Sequence, residues 1–170
     1  PSDKGHGLIA AEITALLEAA RTGPEEAEAP LPAPLTDNAY EHARRLTIRE
    51  ASPALSGFRA DPEEKGGHLD CFKNGWIGRR PGDSIRFEVE AACVAVQYRK
   101  TVRRPALSAR VTLDGGPPVE LDGNFGEDWG DCLYLEPLLH HGRRGRHTVE
   151  LTVTGGPSGE PFYLLSLIIA

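Results

Sequence analysis

Residues 124–131, "NFGEDWGD", hold the chain's densest set of side chains suited to chemistry outside a core. Glu127, Asp128 and Asp131 surround Trp129, and Tyr134 follows closely. An indole can stack on the apolar face of a sugar ring while carboxylates accept its hydroxyl protons. Trp129, Asp128, Asp131 and Tyr134 are therefore the candidate ligand-contacting residues. The plainer alternative is that Trp129 anchors a loop on a domain edge and the acids are solvated. Trp76 in "FKNGWIG" and His68 in "HLDC" stand behind these four. Trp76 reads either as a core residue or as part of a platform beside a neighbouring domain.

No complete catalytic set can be assembled. Ser84 sits in "PGDS", but the next residues are "IRFEVE", a strand of alternating charge. Pro-Gly-Asp-Ser is ordinary turn chemistry, and no strand precedes it to present a nucleophile. His140, His141 and His147 in "LLHHGRRGRH", like His68, Asp70 and Cys71, match no ligand spacing for zinc. No cofactor and no metal ion is expected. Cys71, Cys93 and Cys132 form no CxxC pair, and an odd count leaves at least one out of any disulfide. They read as small buried hydrophobes, with one disulfide left open.

The elements that must position these residues fall into segments. From Asp3 to Arg21, Leu8, Ile9, Ile13, Leu16 and Leu17 recur at helical spacing and make one apolar stripe. Ser2 or Asp3 can cap its start, and Gly23-Pro24 ends it. A helix of this length is marginal alone in water, so the stripe needs a partner surface. "PEEAEAPLPAPLTD", residues 24–37, has no periodicity and reads as a Pro/Ala/Glu-rich linker. Residues 38–61 are ambiguous. "NAYEHARRL" has a helical look, and "LTIREAS" fits a short strand.

From about His68 the pattern changes to period two. "SIRFEVE", "VAVQY", "LSARVTL" and "TVELTVT" alternate apolar and polar residues, the mark of half-buried antiparallel strands. "DGG" at 114–116 is a hairpin turn between "RVTL" and "VEL", and further turns fall at "PGD", "DG" and "GRRG". "FYLLSLIIA" is apolar on both faces and should be a central strand. The expected fold is mainly β: an antiparallel β-sandwich of jelly-roll type over 38–170, preceded by one amphipathic helix.

The 170 residues carry a formal charge of −6, with 39% hydrophobic and 26% charged residues. That acidity argues against generic nucleic-acid binding, which needs a basic surface. No apolar stretch reaches the ~20 residues that span a bilayer, so no membrane partner is expected.

"PSDKGHGLIAAEITALLEAA" resembles the last conserved block of the SGNH/GDSL hydrolases. There Asp-x-x-His-Pro is followed by a polar turn, Gly-His and an apolar helix. Pro1 to His6 and "GLIA" match the part after the catalytic His. The resemblance implies that residues 1–23 are the last helix of an α/β hydrolase domain. It also places the Ser-His-Asp triad upstream of Pro1, outside this chain, and gives His6 a local structural role. The stretch "NGWIGRRPGDSIRFEVEAACVAVQYRKT", with "VTLDGG", "WGDCLYLEPLL" and "GRHTVELTV", resembles the galactose-binding-like sandwiches appended to some esterases. Such domains help hold or shape a substrate cleft, and their lectin-like relatives bind sugars.

Two functions from different classes follow. In the first, the chain is the C-terminal fragment of an SGNH-type esterase acting on acyl or carbohydrate esters. Its partners are then the upstream hydrolase domain and a carbohydrate substrate. In the second, it is a free-standing carbohydrate-binding or interaction sandwich without catalysis.

Overall fold

A computed structural model of the chain describes residues 2–23, 32–33, 35, 38–155 and 159–170. It divides into two units, Pro1–Asp37 and Asn38–Ala170. Most of the expected linker lies outside the described residues.

The first unit is built on α1 (Asp3–Thr22). Ser2 caps it, its Oγ accepting from the Gly5 N–H at 3.3 Å, which satisfies one of the orphan amides of the first turn. Asp3 in the first turn and Arg21 in the last complement the helix dipole. Gly23 ends the helix with its N–H on the Ala19 carbonyl, yet in an extended conformation (φ −67°), so the stop does not use a left-handed residue. No residue of α1 is buried, and Leu8, Ile9, Ile13, Leu16 and Leu17 are all exposed.

In the second unit the strands run β1 (Arg44–Leu46), β2 (Ala54–Ser56), β3 (Arg59–Ala60), β4 (Trp76–Gly78), β5 (Ser84–Ala91) and β6 (Val94–Lys100). They continue with β7 (Ser108–Leu113), β8 (Val119–Leu121), β9 (Cys132–Leu139), β10 (Gly145–Thr154) and β11 (Phe162–Ile169). One sheet has the order β3-β4-β11-β6-β9, with β1 also paired to β11. The other has the order β2-β5-β10-β7-β8. The pairings between these strands are antiparallel. The expected antiparallel sandwich with one N-terminal helix is what forms.

Period-two alternation decides which faces meet. Ile85, Phe87 and Val89 of β5, Ala109 and Val111 of β7, and Val149, Leu151 and Val153 of β10 point into the core from one sheet. Val94, Val96 and Tyr98 of β6, with Phe162, Leu164 and Leu167 of β11, answer from the other. Trp76 lies in this core at 1% exposure, its ring edge-to-face with Phe87 at 5.2 Å.

Strand β11 is apolar on both faces because it is covered on both. Its outward Tyr163 and Leu165 pack with Phe72 in a second, smaller cluster. The Tyr163 hydroxyl donates to Asp61 at 2.6 Å and accepts from the Gly75 N–H at 3.3 Å. Lys65 pairs with Asp61 at 3.0 Å. These bonds fasten the 61–75 segment over the sheet. Only glycine fits at 75, since a Cβ there would lie 2.3 Å from the Leu164 carbonyl oxygen.

The 38–61 segment corrects one helical expectation. Residues 39–42 form turns, with the Ala43 N–H on the Tyr40 carbonyl, and the chain then enters β1. Arg44 to Leu46 pair with Ile169 to Leu167, and Leu46 is buried. Ladder bonds and a buried leucine outweigh local helix propensity there. The residues after Leu46 turn rather than extend, with the Glu50 and Ala51 amides on the Thr47 carbonyl.

Candidate functional site

The loop between β8 and β9 is built from its root outward. The Thr101 N–H donates to the Gly123 carbonyl at 2.8 Å, and the Phe125 N–H donates back to the Thr101 carbonyl at 2.9 Å. Asn124 accepts from the Ala106 N–H at 2.9 Å, and its amide donates to Asp122 at 2.7 Å. Burial pushes the Asp122 carboxyl up, but the Asn124 N–H donors and nearby Lys100 outweigh it and hold it below the usual carboxylate range. Arg104 reaches across to the Gly126 and Glu127 carbonyls, both at 3.3 Å.

Asp131 is the loop's fastening at its far end. It accepts from Thr101 Oγ1 at 2.8 Å and from the Val102 N–H at 3.1 Å. Arg99 lies 3.6 Å away as its ion partner, and the Asp131 side chain is only 12% exposed. Asp131 is thereby bonded to the Thr101–Val102 stretch at the root of the loop that carries Trp129.

Trp129 itself is 70% exposed. Its ring meets Phe125 edge-to-face at 5.2 Å and 89°. Asp128 and Glu127 are exposed beside it. Tyr134, on β9, is half-exposed, edge-to-face with Tyr98 at 5.6 Å, and Lys100 Nζ stands 4.2 Å above its ring centroid. Trp129, Asp128 and Tyr134 thus lie on one loop and the strand it feeds.

The two remaining candidates part from this group. Trp76 is in the core on β4 and offers no surface to a ligand, so its binding role is corrected to a packing one. His68 falls on the short 3-10 turn Gly67–Cys71, with its side chain outside the described residues. Sequence reasoning missed Phe125, Lys100, Arg99, Thr101 and Arg104. Four of these lie in the RKTVRR run, which reads as a solvated basic cluster until Asp131 and the loop carbonyls are folded against it.

An exposed indole with flanking carboxylates, and a Lys-Tyr pair on the following strand, are groups of the kind that can contact a polyhydroxylated ring. One acid–imidazole pair exists elsewhere: His147 Nδ1 lies 2.7 Å from Asp114 Oδ2. His147 and the Thr148 N–H hold the Asp114 carboxyl below the usual range. The other ring nitrogen, Nε2, is buried and has no hydrogen-bond partner among the described residues, so no hydroxyl or thiol is placed for it to activate. Cys93 is a buried thiol and Cys132 a half-buried one. Among the described residues no helix is long and apolar enough to cross a membrane.

No family model matches this chain, and no curated protein does. Solved structures do. The chain is 41% identical to a two-domain esterase active on acetylated mannans, with a TM-score of 0.86 over 99% of this chain and 47% of that one. The same kind of esterase co-crystallised with mannopentaose aligns at 42% identity and a TM-score of 0.85, over 99% of this chain and 46% of that one. The chain spans about half the length of these esterases.

Proposed function

We propose that this chain is the accessory half of a two-domain carbohydrate esterase. Its β-sandwich contacts an acetylated mannan through the Trp129 loop. The observation that carries this reading is the 41% identity along 99% of the chain to an esterase active on acetylated mannans. The exposed indole, framed by Asp131, Arg104 and Phe125, supports the placement of the contact.

In this reading residues 1–23 are the last helix of an SGNH-type hydrolase domain. The resemblance of "PSDKGHGLIA" to the block after the catalytic His supports it, as does the exposed leucine and isoleucine stripe of α1. Ester cleavage by an activated serine then belongs to the hydrolase domain, and this chain supplies substrate contacts.

Calorimetric titration with mannopentaose tests the contact. Saturable binding that falls about tenfold or more in Trp129→Ala supports it, since aromatic anchors carry most of the energy in such sites. Equal binding by both proteins sinks the assignment of the loop. The coding sequence ahead of Pro1 tests the hydrolase connection. Asp-x-x-His directly upstream supports it, and unrelated sequence there selects the free-standing binding sandwich, a reading favoured by the closed core of Asn38–Ala170.

A further inference from the structure

The two sheets end in strands of very unequal length. Three of the end strands, β2, β3 and β8, run for only three, two and three residues. Shortness is one of the ways in which a sheet edge is kept from pairing with another chain. The fourth, β9, runs for eight residues beside β6 and has no strand on its other side among the described residues. It therefore presents a row of backbone N–H and C=O groups with open pairing capacity. Pro137 and the register shift opposite Val94 and Ala95 interrupt only its far part. Residues 132–136 carry neither device.

The side chains of that stretch match a second copy of themselves. Tyr134 lies on the core side, edge-to-face with buried Tyr98, so alternation puts Leu133 and Leu135 on the outer face. There they are 41% and 51% exposed. Leu133-Tyr134-Leu135 reads the same in both directions. An antiparallel pairing about a two-fold axis at Tyr134 brings Leu133 of each copy opposite Leu135 of the other. The same operation sets Glu136 of one copy opposite Cys132 of the other, and Lys100 is the partner of Cys132 on β6. Neither Lys100 nor Glu136 joins a salt bridge among the described residues. Lys100 Nζ already leans over β9, 4.2 Å from the Tyr134 ring centroid. Two strand spacings, about 9–10 Å, are within reach of a lysine and a glutamate on the same face.

We propose that β9 pairs with β9 of a second copy of this chain, antiparallel and centred on Tyr134, so that two copies share one continuous sheet. The open backbone groups supply the ladder bonds. Two Leu133–Leu135 pairs cover each other on the outer face, and two Lys100–Glu136 pairs on the other face fix the register. An interface of five paired residues is small and transient, so a dissociation constant on the order of tens of micromolar is expected. The inference stands apart from the proposed glycan contact. It is read as mass, whereas the Trp129 contact is read as heat of sugar binding, and either can fail alone.

The test is sedimentation equilibrium of the full chain over concentrations from about 5 µM to about 0.5 mM, which bracket that constant. The mass should rise from one chain toward two. Leu133→Glu and Leu135→Lys, each alone, should weaken association about tenfold or more, since each sets a charge against a leucine of the second copy. Both positions are on the surface, so circular dichroism should stay unchanged. Combined in one chain, the two substitutions bring opposite charges together across the two-fold and should restore most of the association. That rescue depends on the register centred on Tyr134. A chain that stays monomeric throughout, or a double variant no better than the single ones, overturns the proposal. So does association that survives Leu133→Glu, as it would if the exposed stripe of α1 drove it.

Discussion

Trp76 and Trp129 occupy the two kinds of surroundings that this sandwich offers. Trp76 is enclosed between sheets, 1% exposed, with its ring edge against Phe87. Trp129 is 70% exposed on a loop whose order comes from polar fastenings: Asp131 on Thr101 and Val102, and Arg104 on two loop carbonyls. The first indole is held by area removed from water, the second by directional bonds made some residues away. Removing the first should therefore damage folding, and removing the second should damage recognition while leaving the fold intact.

The largest expected effect breaks the comparison from the core side. Trp76→Ala should cost about 3–5 kcal/mol, the range for deleting a large buried aromatic, read as a lower midpoint in urea unfolding. A change below about 1 kcal/mol would show that the core does not depend on that ring. Next in size is Asp131→Ala, which strands the Thr101 hydroxyl and the Val102 amide beside Arg99. A loss of about 1–3 kcal/mol is expected, together with weaker mannopentaose binding. Unchanged affinity would separate the loop root from the tip.

A pH measurement sharpens the contrast between buried polar and apolar anchoring. Burial pushes the Asp61 carboxyl up, but the Tyr163 hydroxyl and Lys65 outweigh it, so its folded pKa lies below the ordinary value. A depressed carboxylate contributes stability that is complete above the ordinary pKa of about 4 and lost as pH falls through the folded value. Asp61→Asn should flatten the acid limb of the stability–pH curve below about pH 4. A curve parallel to that of the unaltered chain would exclude Asp61 as a contributor. The smallest effect on folding belongs to Trp129→Ala, expected within about 0.5 kcal/mol in urea, with the drop in glycan affinity as its main consequence.

Several features were readable from residue order alone because they depend on near neighbours. The alternation of "SIRFEVE" and "TVELTVT" specifies which side chains of β5 and β10 face the core, and both strands lie where the pattern places them. "DGG" marks the hairpin between β7 and β8, with Asp114 and Gly115 at positive φ. The two apolar faces of "FYLLSLIIA" anticipated a central strand, and β11 lies between β4 and β6. Ser2 as helix cap was likewise local.

What the order of residues left open needed partners far away in the chain. Whether "NAYEHARRL" coils or extends was decided by the free pairing edge at the end of β11, to which Arg44–Leu46 bond. The bond of Asp131 to Thr101 and its pairing with Arg99, some thirty positions earlier, could not be read from residue order. Trp76 was open between core and platform, and opposition of the two sheets settled it as core. Tyr40 meets His140 and His141, 100 and 101 positions further on, only in the folded sandwich, where the strand that follows it pairs with β11. Period and turn chemistry act over a few residues and are written in sequence. Convergence of polar groups depends on sheet order and register, which only the closed sandwich determines.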